Sequence, residues 1–302
     1  MATVFLGTSE FAAIVLGRLA ADTHERPALV ITRPDRPSGR GRRLTAPPVA
    51  DRARELGLPL AQPADVNAAD ARALIATAGG RPGRHTVVVC AFGALIREPL
   101  LSEHELVNVH PSLLPRWRGA APIERALMAG DERTGVSIMR LTAGLDSGPV
   151  FVQRPEPVRT DDTYGSLAGR LAELSGELLL TVLRERPAPS EQPEDGVTYA
   201  EKITAEDRLL DPSRPAVELE RAVRALTPHI GARAALPAGD LLGVSRASLA
   251  ADVRDAEPGV HVRGERLLLG CSPGALELLR VKPAGGREMD GADYVRGRGG
   301  RL

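Results

Sequence analysis

Four short, almost entirely apolar segments limit what this chain can fold into. Residues 4–7, 28–32, 86–92 and 106–110 each have the length of a buried strand. Segments of helical periodicity separate them, and Ser9 is placed to cap the first of these helices. Strands without a polar face are typical of parallel sheets that helices cover on both sides. The sequence therefore predicts an α/β domain built on a largely parallel sheet.

The character of the chain changes beyond residue 186. The next ten residues are polar and rich in proline, as in a linker. After a helical segment come short strand-like pieces at 241–244, 259–262, 267–269 and 276–281. Short strands at this spacing indicate a small barrel or sandwich. We expect an N-terminal domain over residues 1–186, a linker over 187–206 and a C-terminal domain over 207–302.

Composition excludes several classes of protein. Hydrophobic residues make up 43% and charged residues 26%, so the chain has enough apolar surface to fold and is not a disordered protein. Aromatic residues make up 3%, too few for a module that stacks single-stranded bases on aromatic faces. The net charge is zero, whereas a protein that bound nucleic acid over its whole surface would be basic. A local basic patch is compatible with this balance.

Signals for metal, dinucleotide and membrane binding are missing from the sequence. Cys90 and Cys271 are far apart and belong to no CxxC or His/Cys cluster, so we expect no metal site. Gly7 is not followed by the further glycines of a dinucleotide site. The first residues lack the charged segment of a signal peptide, and no apolar run reaches about 18 residues. We therefore expect a soluble, cytoplasmic protein.

Asn108 and His110 are the first candidates for chemistry. They lie two residues apart in a predicted strand, so they project from the same face, and Pro111 ends the strand directly after His110. Open α/β sheets bind ligands at the carboxyl ends of their strands. Asp146 follows the predicted strand at 136–141, and a carboxylate there could orient an imidazole. On the residues alone, a structural Asn/His pair and an Asx turn at Asp146 remain open alternatives.

A basic loop is predicted over residues 33–43. It holds five arginines and one aspartate, and its glycines make it flexible. A loop of this length within an α/β unit is usually functional, and its charge suits a phosphate backbone. We therefore favour contact with a polyanion over an inert surface loop. A second, proline-containing loop at 112–122 holds the only tryptophan and follows the Asn108–His110 pair.

Together these segments resemble the methionyl-tRNA formyltransferase family. The resemblance rests on Asn-Val-His at 108–110, Ser-Leu-Leu-Pro-Arg-Trp-Arg-Gly-Ala-Ala-Pro-Ile at 112–123 and Gly-Leu-Asp-Ser-Gly at 144–148. It also includes Arg-Pro-Asp-Arg-Pro-Ser-Gly-Arg-Gly at 33–41, Thr-Tyr-Ala-Glu-Lys-Ile at 198–203 and Lys-Pro-Ala-Gly-Gly-Arg-Glu-Met at 282–289. These motifs are spread over nearly the whole chain, and their combination is highly specific.

The resemblance implies a Rossmann-like formyltransferase domain with a parallel-rich sheet, followed by a small OB-like β-barrel domain. It implies transfer of the formyl group of 10-formyltetrahydrofolate to the α-amino group of methionyl initiator tRNA, in translation initiation and without a metal. Asn108 and His110 would donate hydrogen bonds to the oxyanion, and Asp146 would hold His110 and relay a proton.

The resemblance also assigns binding residues. The folate site would include Phe92, Gly93, Ser112, Leu113, Leu114, Pro115, Thr142 and Gly144. The tRNA would be contacted by Arg36, Arg40, Arg42 and Arg43, and by the C-terminal domain. The family further suggests a monomer.

The sequence departs from the family pattern at some positions. Related activities also remain as alternative functions. Phe92 stands where family members commonly have tyrosine, and residues 227–231 lack the aromatic residues often found there. A sugar-nucleotide N-formyltransferase would use the same folate donor, but the arginine segment argues against it. A glycinamide ribonucleotide formyltransferase would lack the C-terminal domain. A non-catalytic RNA-binding protein would not need the intact set of Asn108, His110 and Asp146.

Overall fold

The computed structural model describes residues 2–38, 43–80, 82–253 and 256–298. Its strands are β1 (Thr3–Gly7), β2 (Leu29–Ile31), β3 (Arg36–Ser38), β4 (Arg43–Thr45), β5 (Leu60–Ala61), β6 (Thr86–Cys90), β7 (Glu105–His110), β8 (Arg118–Gly119), β9 (Arg133–Arg140), β10 (Val150–Pro157), β11 (Tyr199–Ala200), β12 (Ala232–Ala235), β13 (Leu241–Leu249), β14 (Gly259–Arg263), β15 (Arg266–Gly270), β16 (Ala275–Lys282) and β17 (Met289–Asp290). Its helices are α1 (Glu10–Ala20), α2 (Pro48–Glu55), α3 (Ala69–Ala76), α4 (Leu100–Glu103), α5 (Pro122–Ala129), α6 (Tyr164–Glu185), α7 (Ala216–Leu226) and α8 (Gly291–Gly297).

The chain divides into two compact units. The first, which we call the N-unit, comprises Met1–Gly119, Thr134–Glu156 and Ala168–Tyr199. The second, the C-unit, comprises Ala120–Arg133, Pro157–Leu167 and Ala200–Leu302. The C-unit thus includes two segments from within residues 1–186, and the expected domain boundaries stay a prediction.

The N-unit is built on a seven-stranded sheet in the order β10-β9-β7-β6-β1-β2-β5. The pairs β1–β2, β1–β6, β2–β5 and β6–β7 are parallel, whereas β9 runs antiparallel to β7. β1 and β6 are buried along their whole length, as their apolar sequences require. The predicted parallel-rich, Rossmann-like sheet is therefore confirmed.

The turn between β1 and α1 shows how local sequence sets this fold. The Ser9 hydroxyl accepts a hydrogen bond from the backbone N–H of Ala12 at 3.3 Å, and so caps α1 as predicted. A Cβ on Gly7 would lie 2.6 Å from the Phe5 ring and 2.9 Å from the Ala12 Cβ. Gly7 therefore allows the helix to pack closely against the strand, which explains a single glycine without a dinucleotide pattern.

The C-unit contains an antiparallel sheet in the order β12-β13-β16-β15-β14, with β17 paired to β16. Apolar residues of the sheet and of α7, among them Leu219, Val223 and Leu226, form one buried cluster. Short strands around a helix-filled core make an antiparallel half-barrel. This confirms the OB-like barrel expected after the N-terminal domain.

The hairpin and α5 are among the features of the fold that were not predicted. The basic loop forms an antiparallel hairpin, in which Arg36 lies opposite Thr45 and Ser38 opposite Arg43. α5 begins at Pro122 after Ala121, with a proline and Glu124 in its first turn but without a side-chain cap. Within the described part of the chain, no helix combines the length and apolarity that crossing a membrane requires.

Candidate active site

The carboxyl ends of β6 and β7 lie side by side at one edge of the N-unit sheet. Their register pairs Val89 with Asn108 and Cys90 with Val109. Asn108 and His110 project from one face of β7 and are 8% and 4% exposed. Burial also raises the pKa of the Cys90 thiol well above its usual value, so this cysteine is a poor nucleophile.

Asp146 reaches this edge on the loop that joins β9 to β10. The Arg140 N–H donates to the Pro149 carbonyl at 2.9 Å and closes the loop at its base. Asp146 adopts a left-handed backbone conformation with φ of +43°, which is uncommon for a residue with a side chain. Its carboxylate accepts a hydrogen bond from the backbone N–H of Gly119 at 2.8 Å.

The structure brings the three predicted catalytic residues together. The Asn108 amide nitrogen lies 3.5 Å from Asp146 Oδ1. His110 Nδ1 lies 3.7 Å from Asp146 Oδ2. The first distance is at the limit of a hydrogen bond and the second is beyond it, so these polar groups face one another without being fully engaged.

The two ring nitrogens of His110 have different surroundings. Nε2 lies 2.8 Å from the backbone carbonyl of Trp117. A carbonyl can only accept, so Nε2 carries a hydrogen and donates it there. Nδ1 is the ring nitrogen that faces Asp146, at 3.7 Å from Oδ2.

The loop at 112–115, predicted to line the folate site, is held by hydrogen bonds that are buried or partly buried. The Ser112 hydroxyl donates to the Arg116 carbonyl at 2.6 Å, and the Ser112 carbonyl accepts from the Ser137 hydroxyl at 2.6 Å. Gln153 donates to the Leu114 carbonyl at 2.7 Å. Ser112 and Leu114 are buried, whereas Leu113 and Pro115 are partly exposed.

Phe92 and Gly93 lie beyond the end of β6, where they line a cavity of about 330 Å³. Arg36, which the sequence assigned to tRNA contact, lines the same cavity, as do Thr8 and Arg33. Gly93 has φ of +73°, a conformation that glycine adopts without strain. Thr142 and Gly144, the remaining predicted folate residues, lie on the Asp146 loop.

The predicted tRNA-binding arginines are partly described. Arg36 and Arg43 are exposed on β3 and β4 of the hairpin. Arg40 and Arg42 lie outside the described residues.

Sequence reasoning missed three groups that surround Asp146 and His110. These are the Gly119 N–H, the Trp117 carbonyl and the Gln192 side chain. The first two are backbone atoms, which no side-chain pattern reveals. Gln192 lies in the segment that the sequence predicts to be a linker. Because this segment is polar and rich in proline, its sequence does not indicate a contact with the Asp146 loop. Across the described ranges, no three or more His, Cys, Asp or Glu side chains group as metal ligands.

Comparison with known proteins establishes the class. Residues 1–183 match the family model described as formyl transferase, and residues 202–299 match the model of the formyl transferase C-terminal domain. The chain is therefore a formyl transferase.

Comparison with a full-length relative shows which family of formyl transferases the chain belongs to. The methionyl-tRNA formyltransferase of Halorhodospira halophila is 45% identical over 302 residues, covering 98% of this chain and 96% of the relative. The chain belongs to the methionyl-tRNA formyltransferase family, which confirms the resemblance drawn from the motifs.

Solved structures support the fold alone. Methionyl-tRNA formyltransferase from Clostridium thermocellum has a TM-score of 0.61 at 16% identity, over 82% of this chain and 93% of that one. HypX from Aquifex aeolicus in complex with tetrahydrofolic acid has a TM-score of 0.63 at 18% identity. That match covers 98% of this chain but 47% of HypX, so the chain spans about half the length of that protein.

Proposed function

We propose that this protein transfers the formyl group of 10-formyltetrahydrofolate to the α-amino group of methionyl initiator tRNA. The observation that carries the proposal is the meeting of Asn108, His110 and Asp146 at the carboxyl edge of the sheet, in a chain of this family. The Asp146 carboxylate has an amide donor at 3.5 Å and an imidazole at 3.7 Å, and groups of these kinds can stabilise an oxyanion and move a proton in formyl transfer to an amine.

The chemistry assigns a task to each group. The α-amine of the aminoacyl ester attacks the formyl carbon and produces a tetrahedral oxyanion. Asn108 Nδ2 and a protonated His110 Nδ1 donate to this oxygen, and one such donor is worth roughly 3 kcal/mol to the transition state. Asp146 receives the proton that the amine loses, directly or through water. The C–N bond to the folate then breaks, and the folate nitrogen takes up a proton as it leaves.

The folate and tRNA sites are part of this proposal. Phe92, Gly93, Thr142 and Gly144 contact the folate, and the fixed loop of Ser112, Leu113, Leu114 and Pro115 forms a wall of its site. Arg36, Arg40, Arg42 and Arg43 contact the phosphate backbone of the acceptor end. Backbone contacts of this kind supply affinity and orientation, not sequence choice.

The wider properties complete the proposal. The protein acts as a monomer in the cytoplasm, with a formyltransferase domain over 1–186, a linker over 187–206 and a tRNA-contacting domain over 207–302. The C-unit contributes further contacts to the tRNA backbone.

A transfer assay with competing acceptors tests the proposal. The protein is supplied with 10-formyltetrahydrofolate and with one of four acceptors: charged initiator tRNA, charged elongator tRNA, glycinamide ribonucleotide or an amino-sugar nucleotide. We expect formylation of charged initiator tRNA to have the highest kcat/KM. Preference for the sugar nucleotide or for glycinamide ribonucleotide would reject the proposed acceptor, and no transfer to any of them would reject the activity.

A further inference from the structure

We propose that Gln192 is a positioning residue for formyl transfer, which holds Asp146 in its working conformation while Arg118 fixes the Gln192 amide. The inference rests on the proposed role of Asp146. It assigns a function to the segment that the sequence predicts to be a linker.

Asp146 needs support from outside its own loop. Its φ of +43° places it in the left-handed region, which disfavours residues with a Cβ and persists only where surrounding contacts hold it. The loop closes between Arg140 and Pro149, at its base. The loop apex therefore requires other contacts to keep the carboxylate beside Asn108 and His110.

Gln192 supplies these contacts. Its side-chain nitrogen donates to the backbone carbonyl of Asp146 at 2.8 Å and to that of Gly148 at 2.8 Å. A glutamine amide has two N–H groups, so both are engaged on this one loop. The two bonds hold the carbonyl of Asp146 itself and a second carbonyl two residues on, and so restrain the backbone that carries the catalytic carboxylate.

The acceptor end of the same amide is held by Arg118. Arg118 Nε and Nη2 donate to Gln192 Oε1 at 3.1 and 2.7 Å. A guanidinium that donates twice to one oxygen fixes the direction of the amide plane and prevents the nitrogen from exchanging places with the oxygen.

Together with one further hydrogen bond, these contacts connect Arg118, Gln192, Asp146 and Gly119 in a ring. Gly119, the residue after Arg118, donates its backbone N–H to the Asp146 carboxylate at 2.8 Å. Gly119 of β8 therefore holds the side chain of Asp146. Arg118, the other residue of β8, is linked through Gln192 to the backbone of Asp146. Neither the side chain nor the carbonyl can shift without disturbing the other.

The backbone around Gln192 is anchored on both sides. Ser190 and Val150 exchange two backbone hydrogen bonds of 2.9 and 2.8 Å. Thr198 accepts from the Arg118 N–H at 2.9 Å through its carbonyl and from the Trp117 N–H at 2.9 Å through its hydroxyl. Gln192 thus reaches the Asp146 loop from a segment with fixed ends.

The test uses Gln192→Met, which keeps the length of the side chain and removes both donors. Gln192→Glu is the second variant, because it keeps the acceptor for Arg118 and turns an oxygen toward two carbonyls. Glu191→Met is the matched control, since Glu191 is an exposed neighbour in the same segment. All three are made in the full-length chain.

Two measurements are made on each variant. Amide hydrogen exchange of residues 142–149 reports on the loop without depending on catalysis. The kcat for charged initiator tRNA, at saturating folate, is measured in the natural background and in Asp146→Asn. We expect faster exchange in both Gln192 variants and a fall in kcat on the order of a hundredfold, as displacement of a catalytic group by about 1 Å produces.

The double-mutant comparison separates positioning from general damage. In the Asp146→Asn background, we expect the Gln192 variants to lower kcat less than threefold further, because the group they position is already disabled. Glu191→Met should leave exchange and kcat unchanged.

Three outcomes would overturn the proposal. These are unchanged exchange in the Gln192 variants, unchanged kcat despite faster exchange, and a full hundredfold loss added to that of Asp146→Asn. If Asp146→Asn itself turned over normally, the proposed catalytic role of Asp146 would fail, while loop exchange would still decide whether Gln192 holds the loop.

Discussion

The two ring nitrogens of His110 have different partners: Nε2 donates to the Trp117 carbonyl, and Nδ1 faces Asp146. In the proposed mechanism, Nδ1 is therefore the nitrogen that donates to the oxyanion. Removing the ring would leave the Trp117 carbonyl without this donor, at a cost of about 1–3 kcal/mol in stability. A change at His110 therefore mixes catalytic and structural effects, and Asp146 offers the cleaner test.

Asp146→Asn is expected to lower kcat by about 10²- to 10⁴-fold, as loss of a group that moves a proton usually does. The amide keeps the shape of the carboxylate but carries no charge and cannot take the proton from the amine. Single-turnover rates at saturating folate measure the effect. The thermal unfolding midpoint is the control and should stay close to that of the natural protein. A normal rate in this variant would remove Asp146 from the mechanism.

At the scale of elements, α6 and α1 approach closely at a glycine. A Cβ on Gly176 would lie 2.7 Å from the Arg18 Cβ and 2.8 Å from its Cγ, whereas a Cβ on Gly169 would meet nothing within 4 Å. Both glycines lie within α6. The same substitution is therefore expected to have opposite effects at the two positions.

We expect Gly176→Ala to destabilise the protein by about 1–3 kcal/mol, because the added methyl group overpacks the contact with α1. Gly169→Ala should stabilise it by about 0.5–1 kcal/mol, since alanine has the better helix propensity and no neighbour is disturbed. Urea unfolding followed by circular dichroism measures both changes. Equal effects from the two substitutions would show that Gly176 is not a contact point.

Within the C-unit, α5 is tied by an ion pair to the segment after β11. Arg125 donates from Nη1 and Nη2 to the two carboxylate oxygens of Asp207 at 2.8 and 3.0 Å. These hydrogen bonds, joined by one from the Thr204 N–H, lower the pKa of Asp207 below its usual value. A carboxylate that is favoured in the folded state stabilises that state only while it is ionised.

Asp207→Asn is expected to cost about 1–2 kcal/mol at pH 7, allowing for partial solvent screening of the pair. The folded pKa lies below the unfolded value of about 3.9, so the stabilisation is complete above about pH 4 and is lost as the pH falls through the folded pKa. Urea unfolding of both proteins at pH 7 and at pH 3 measures the difference, which should shrink at the lower pH. A difference independent of pH would rule out this ionic contribution.

Elements with a local signal could be predicted from the sequence. β1, β6 and β7 are apolar runs, and Ser9 marks the start of α1, so neighbouring residues suffice to define them. α5 was not predicted, although it begins with a proline in its first turn and has eight residues, as α2 does. β8 and β11 are two-residue strands that exist only through their pairing with each other, which is a tertiary contact.

The candidate site likewise has residues that the sequence could predict and residues that it could not. The common face of Asn108 and His110 follows from strand alternation, which is a local property. The approach of Asp146 was inferred from family resemblance, since it depends on how a loop closes across the sheet. Gln192 could not be inferred, because its bonds to the Asp146 and Gly148 carbonyls arise only after the segment at 190–198 has docked.

The net charge of the whole molecule is zero, whereas the β3–β4 hairpin has a local excess of arginines. Exposed Arg36 and Arg43 lie on β3 and β4, and Arg40 and Arg42 lie outside the described residues. Arg36 also lines the cavity with Phe92 and Gly93, so the hairpin lies close to the proposed folate residues. A net charge of zero makes binding of a polyanion depend on such local clusters.

The double substitution of Arg40 and Arg42 by alanine is expected to lower kcat/KM for charged initiator tRNA about 10- to 100-fold. It should also reduce the slope of log kcat/KM against log salt by about 2, one for each lost phosphate contact. Initial rates over a series of salt concentrations measure both effects. Folate affinity should persist, and Arg133→Ala, at an exposed arginine outside the hairpin, is the control. Unchanged tRNA formylation would exclude the hairpin from tRNA binding.

The closed base of the Asp146 loop limits how the molecule can be altered. A Cβ on Gly148 would clash with the Arg140 carbonyl, so no side chain is tolerated at this position without a shift of the backbone. In the described part of the chain, β3 and β4 pair with each other and lie outside the seven-stranded sheet. Inserting or replacing residues between β3 and β4 should therefore leave the register of the seven-stranded sheet unchanged. Under the proposed contact of the hairpin with tRNA, affinity for the acceptor can therefore be altered there while the reacting groups keep their spacing.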